Sequence, residues 1–371
     1  MPIRMQRPVT SLRPGDRVLI VRLGAVGDVL RSLPALRQIR AAFPAAHLAW
    51  IVEDLSAPLL EGHPDLDLLL TVPRADLRNA STRPGALAGL ARRLRDRMHE
   101  ARFDVAIDLQ SSFKSGVLTG LSGAARRVGY APGFCRELSF LFTNEWAPLP
   151  SPWMNRVEKH LEMASALGAP RLDPAPSPLP ERVEDAREAE SVLQGVLPRS
   201  GPVVVMSPGV SRRQSFKAWP AGYYARLVTL VRRTLDLRPL IVWGPSEEEL
   251  AGSIVRACGG DALMAPRTSL RVLAALLRRC NAFIGADTGT MHLAWIVGCP
   301  VVALFGPTDP RLNAPLGDRQ VVLRAGSGRM RDLTPELALE GLRSVLDGSS
   351  LRPFSATSPR RQAGAEAFHP A

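Results

Sequence analysis

Short apolar runs alternate with amphipathic stretches through the first half of the chain. Residues 17–23 (RVLIVRL) are mostly apolar and lie between Gly15 and Gly24, which predicts a buried strand. Over residues 29–43, Val29, Leu30, Leu33, Leu36 and Ile39 recur near the helical period, and Pro44 ends the predicted helix. Further strands are predicted over 47–52, 66–72 and 104–109. Between the last two, Leu87, Leu90, Leu94 and Met98 share one face of a helix over 85–101, with Arg92, Arg93, Arg95 and Arg97 around it. A helix over 156–167 closes this half. Strand–helix–strand order of this kind implies a parallel sheet with right-handed crossovers.

The alternation pauses where Pro, Ser and Glu become dense, from Ala169 to Pro202. It then restarts, with strands predicted over 203–206, 239–243, 281–285 and 300–305. Helices are predicted over 223–235, 247–258, 270–279 and 288–297. The reading is therefore an α/β protein of two doubly wound, Rossmann-like domains, 1–175 and 201–348. A Pro-rich linker spans 176–200, and an unstructured Ser/Pro/Arg-rich tail spans 349–371. Two such units in tandem place a ligand cleft between them, at the carboxyl ends of the strands.

Composition narrows the classes. A chain of 371 residues suits two domains, and 46% hydrophobic content allows each a core. No apolar run reaches the roughly 18–20 residues of a membrane span, and residues 1–14 lack a secretory signal pattern, so a cytoplasmic location is expected. Cys135, Cys258, Cys280 and Cys299 are scattered, and the six His lack metal-ligand spacing; neither disulfides nor a metal site is expected. The net charge of +12 calls for an anionic partner. No nucleic-acid-binding motif accompanies that charge, so a nucleic-acid-binding protein is the minor reading.

Three segments could carry chemistry. Gly24-Ala25-Val26-Gly27-Asp28 follows the first strand and opens a helix, where glycines admit a ligand to free N–H groups. From spacing alone, helix capping by Asp28 is an equal alternative. Asp287-Thr288-Gly289-Thr290-Met291-His292 also follows a strand and begins a helix, which suits a diphosphate, although Asp287 could equally cap. Lys217 and Lys114 stand out because the 47 basic residues include only three lysines. A compact ammonium suits a phosphate oxygen where a planar guanidinium does not fit. Glu247, Glu248 and Glu249 favour a helix dipole, and one of them could reach a ribose.

Together these segments resemble the ADP-heptose:lipopolysaccharide heptosyltransferases, glycosyltransferase family 9. RVLIVRLGAVGDVLRSLPALRQIRAAFP is similar to that family's opening, IDLQSSFKS to its next signature. SPGV, FKAWP, VWGPSEEE, APRTSL and GADTGTMHLAWIVGCPVVALFGPTDP follow in order, so the likeness covers roughly residues 17–345. It implies a GT-B fold with a central cleft and inverting transfer of heptose from ADP-heptose, needing no metal or cofactor. It also implies an inner-core, lipid-linked glycan acceptor. Asp28 would be the general base, with Gly24, Gly27 and Lys114 at the acceptor loop. Lys217 would hold the donor diphosphate; Thr288, Gly289 and Thr290 would supply phosphate contacts beside His292 and Asp287. Glu247 would reach the ribose and Thr268 would lie near the base.

A monomer is expected, and the basic surface, the 85–101 helix in particular, is expected to rest peripherally against anionic inner-membrane headgroups. Residues 209–217 lack the paired Thr of some members, with Ser211 or Ser215 as replacements; residues 74–89 show no assignable pattern. Another nucleotide-sugar or surface-glycan acceptor within the family is the runner-up. A catalytically dead sugar-binding protein is disfavoured by the intact Asp28 and Lys217.

Overall fold

The computed structural model describes residues 7–135, 137–196, 201–235 and 237–348. The first half forms a seven-stranded sheet: β1 (Arg7–Pro8), β2 (Arg17–Val21), β3 (His47–Glu53), β4 (Leu68–Val72), β5 (Val105–Asp108), β6 (Arg126–Tyr130) and β7 (Glu145–Ala147). Their spatial order is β1-β7-β6-β5-β2-β3-β4. The second half forms a six-stranded sheet from β8 (Val203–Ser207), β9 (Arg238–Ile241), β10 (Leu263–Met264), β11 (Ala282–Ala286), β12 (Val301–Phe305) and β13 (Gln320–Arg324). It is ordered β10-β9-β8-β11-β12-β13. Every pairing is parallel.

Parallel strands covered on both faces need continuous apolar side chains. Val18 to Val21 and Val301 to Val302 have no exposed surface, which is why these runs read so clearly. Strand order reverses between β2 and β5 in the first sheet, and between β8 and β11 in the second. Such switch points leave a crevice at the carboxyl ends of the strands. One apolar cluster crosses the junction of the halves, from Leu33, Trp50 and Leu161 to Leu276, Met291 and Trp295.

The linker reading needs amendment, because 176–200 holds a helix, Val183–Val196. Proline is dense only up to Pro180, and VEDAREAESVLQGV beyond it is amphipathic enough to pack. That helix docks through charge. Arg271, buried in the Leu270–Arg278 helix, donates from Nε to Asp185 Oδ2 at 2.8 Å and from Nη1 to Pro58 O at 3.1 Å. One guanidinium thus ties the second domain to the connecting helix and to the first domain. The 349–371 tail lies outside the described residues. Among those described, no helix is long and apolar enough to cross a membrane.

Replacing Arg271 by Ala strands the Asp185 carboxylate and the Pro58 carbonyl together. The unfolding free energy should fall by roughly 2–3 kcal/mol, read from the midpoint of a urea titration at unchanged slope.

Candidate active site

β2 ends into Arg22-Leu23-Gly24, and the Val26–Ala42 helix starts two residues later. Asp28 occupies the third helical position and closes a capping box onto the Ala25 N–H, so the capping expectation holds in part. Its backbone-directed contact to Ala25 N is long, 3.4 Å, while Arg22 Nη2 lies 3.1 Å from Oδ2 and Arg31 Nη2 pairs with Oδ1. Burial raises the carboxyl's pKa, but the two guanidiniums outweigh it and hold Asp28 far below the usual carboxylate range.

In the second half, β11 delivers Asp287 just ahead of the Gly289–Ile296 helix, whose N-cap position is Thr288. Asp287, one residue earlier, does not cap it. Buried Lys217 donates to Asp287 Oδ2 at 2.9 Å and to its carbonyl at 3.1 Å, and His292 Nε2 lies 3.5 Å from Oδ1. Burial again raises the pKa, and His292 with Lys217 more than reverses it. Lys217 reaches this point from the short helical turn Arg212–Lys217, which ends before Trp219-Pro220.

Both carboxylates line one cavity of about 390 Å³ between the domains. Gly24, Asp28 and Arg31 approach from one side, and Lys217, Asp287 and Asn313 from the other. The two helix starts touch directly. A Cβ on Gly27 would lie 2.8 Å from His292 Cδ2 and 3.3 Å from Gly289 Cα. The close neighbour that requires glycine at this position is therefore the other domain.

The remaining expected residues divide. Thr288 and Thr290 hydroxyls lie 2.8 Å apart, and Ser207 Oγ is 3.0 Å from Thr290, so this hydroxyl chain sits beside the Lys217–Asp287 pair. Glu247 accepts from Gly244 N at 2.7 Å and fills the space where Gly209 lacks a side chain. Thr268 is half-buried, next to a second, wider cavity of about 860 Å³. That cavity is walled by Trp243, Glu248, Ala265, Pro266 and Arg267, and by Ser191 and Val192 of the connecting helix. Lys114 is not brought into the central cavity; it is exposed and lies 3.4 Å from Glu53 Oε1.

Sequence reasoning missed the cations that control Asp28. Arg22 and Arg31 are buried, and each interrupts an apolar segment, which was the available signal. Arg156, Lys159 and His160, from the Arg156–Ala166 helix, also line the cavity and had no local motif to mark them. His160 Nδ1 lies 2.9 Å from the Tyr130 hydroxyl; burial, then Arg22 and Lys159, keep this imidazole neutral. Behind the wall, Asp108 Oδ1 accepts from Gln110 N and Ser111 N at 2.9 Å each, shaping the loop after β5. Burial pushes the Asp108 carboxyl up to about 6.

Two parallel-sheet domains whose switch points face one polar cavity define a GT-B transferase architecture. Residues 91–342 match the sequence model of glycosyltransferase family 9 (heptosyltransferase). Lipopolysaccharide heptosyltransferase 1 of Pseudomonas aeruginosa is 30% identical over 315 residues, 83% of each chain. Lipopolysaccharide heptosyltransferase 2 of Escherichia coli is 26% identical, over 89% of this chain and 98% of that one. The structure of E. coli heptosyltransferase WaaC with ADP superposes with a TM-score of 0.73 at 27% identity, covering 89% of this chain and 99% of that one. This chain belongs to glycosyltransferase family 9, and it is a glycosyltransferase.

Two outcomes follow from the packing. Gly27→Ala forces the helix starts apart, and should cost about 1–3 kcal/mol by overpacking, measured by denaturant unfolding. Asp108 has a raised folded-state pKa, so its contribution is fully present below about pH 4 and is lost as pH rises through about 6. The stability of the native chain relative to Asp108→Asn should therefore decline between pH 4 and 6, and an unfolding series across that window measures it.

Proposed function

We propose that this chain transfers heptose from ADP-heptose to an inner-core sugar of lipopolysaccharide, with inversion and without a metal ion. The observation that carries the reading is the placement of Asp28 and of the Lys217–Asp287 pair on opposite walls of one cavity, from different domains. In-line displacement at the anomeric carbon needs a base opposite the leaving group, and that is the arrangement these walls offer. The relatives named above are lipopolysaccharide heptosyltransferases, and one related structure holds ADP.

In this reading the diphosphate lies against Lys217 and the start of the Gly289–Ile296 helix, whose N–H groups and dipole stabilise departing charge. Glu247 faces the ribose, and the nucleoside extends toward the Trp243 and Arg267 cavity near Thr268. Asp28 receives the acceptor hydroxyl proton. Arg22 and Arg31 keep it ionised and make it a weak base, which suits a late transfer. Once the new bond to an oxocarbenium-like centre has begun to form, the attacking oxygen is acidic enough for a weak carboxylate. The same two arginines, with Arg156 and Lys159, give the acceptor wall a positive charge suited to an anionic sugar.

The Pro84–Glu100 helix presents Arg93 and Arg95 with an exposed Leu87, and in this reading it rests on anionic lipid headgroups. Equal sedimentation with anionic and neutral vesicles would remove that part.

The test is incubation with a panel of nucleotide-sugars and a truncated lipid A–Kdo acceptor, with products followed by mass spectrometry. Asp28→Asn should lower turnover by about 10²–10⁴-fold with ADP affinity nearly unchanged. Full turnover by Asp28→Asn would overturn the assignment.

A further inference from the structure

Asn313 ends a short helix, Pro310–Asn313, that follows β12 and reaches over the cleft. Its Oδ1 accepts from Arg31 Nη1 at 2.5 Å and from Arg156 Nε at 3.2 Å, both cations of the first domain. Its Nδ2 donates to Asp287 Oδ2 at 3.4 Å, within the second domain. Arg31 also pairs with Asp28, and Asp287 also holds Lys217. A single carboxamide therefore closes the sequence Asp28, Arg31, Asn313, Asp287, Lys217 across the domain boundary. The next residue strengthens the junction, because Asn155 Nδ2 of the first domain donates to Ala314 O at 3.0 Å.

The chemistry of this position is restrictive. It accepts from two guanidiniums and donates to a carboxylate, and a carboxamide does so from two separate atoms, its oxygen facing one domain and its nitrogen the other. A carboxylate here would draw the guanidiniums away from Asp28 and repel Asp287. An aliphatic side chain would remove a hydrogen bond from each of Arg31, Arg156 and Asp287 in a half-buried setting. None of the sequence motifs marked Asn313, and it touches neither the base nor the lysine itself.

We infer that Asn313 is a positioning residue, an interdomain latch that holds Arg31, and through it the Asp28 carboxylate, in register with the Asp287–Lys217 pair. The inference rests on the proposed roles of Asp28 and Lys217. Its action is on alignment: the Lys217–Asp287 ion pair lies within the second domain and remains when the latch is cut. The rate suffers, because a base displaced by about 1 Å can cost on the order of 10²-fold.

Asn313→Ala should lower kcat by roughly ten- to hundredfold while the donor KM stays within about threefold. Asn313→Gln, which keeps both hydrogen-bonding groups, should recover a substantial part of that loss. A second measurement needs no substrate. Spin labels at Ala41→Cys and Arg233→Cys, exposed positions on helices of the two domains, should give a narrow distance distribution in the otherwise native chain. Asn313→Ala should broaden it, and Asn313→Gln should narrow it again. Identical distributions in all three proteins overturn the latch, whatever the kinetics. A native kcat in Asn313→Ala overturns it too, as does a loss that Gln does not restore. Asp28→Asn is assayed in parallel. Turnover retained there defeats the reading of the base, while the label distances still judge Asn313 on their own.

Discussion

Two ionised carboxylates lie largely out of solvent at the junction of two domains, and such charges are tolerated only when cations are held against them. Asp28 has Arg22 and Arg31; Asp287 has Lys217, with the buried His292 imidazole beside it. Removing water makes an uncompensated charge costly by several kcal/mol. The arrangement of the cleft follows from that requirement. β2 must end just before Arg22 for that guanidinium to meet the helix start. The Arg212–Lys217 turn must bring its last residue inward. The halves close until Gly27 meets His292, and there the Asn313 carboxamide joins Arg31 of the first half to Asp287 of the second.

This dependence also accounts for the chemical character of the site. A carboxylate clamped by guanidiniums stays charged across any ordinary pH, so its ionisation is fixed by structure. Clamping lowers basicity, so such a group acts well only where the reaction has already raised the acidity of the proton it takes. The neutral His160 beside Tyr130 adds no competing charge to the wall, and Asp108 is turned toward backbone N–H groups.

Much of this was legible in the sequence, and what was not has a physical cause. β2, β8, β11 and β12 are buried on both faces, so composition alone revealed them, and the turns after β2 and β11 fell where expected. β6 was missed because RRVGY lacks an apolar run; Arg126 is held by Glu145, a partner 19 residues away. β10 has two residues, too short for any pattern. The connecting helix was hidden by the prolines before it. At the site, Asp28, Lys217 and Asp287 were identified, yet Asp28 and Asp287 looked like helix caps locally. The ion pairs were hidden: Lys217 is 70 residues from Asp287, Arg22 directly follows a buried strand, and Arg31 lies on a helix face that periodicity assigns to the core. Lys114 attracted notice through rarity, which carries no information about direction.

The connecting helix has a further consequence. Ser191 and Val192 form one wall of the wider cavity beside Trp243 and Arg267, while Asp185 of the same helix is gripped by Arg271. The polypeptide that joins the domains is thus also part of the container on one side of the cleft. A graft of only the second sheet and its helices would carry that cavity with one side open. The second domain's cavity is complete only with the helix upstream of β8, so the covalent boundary between the two halves does not coincide with the boundary between their working parts.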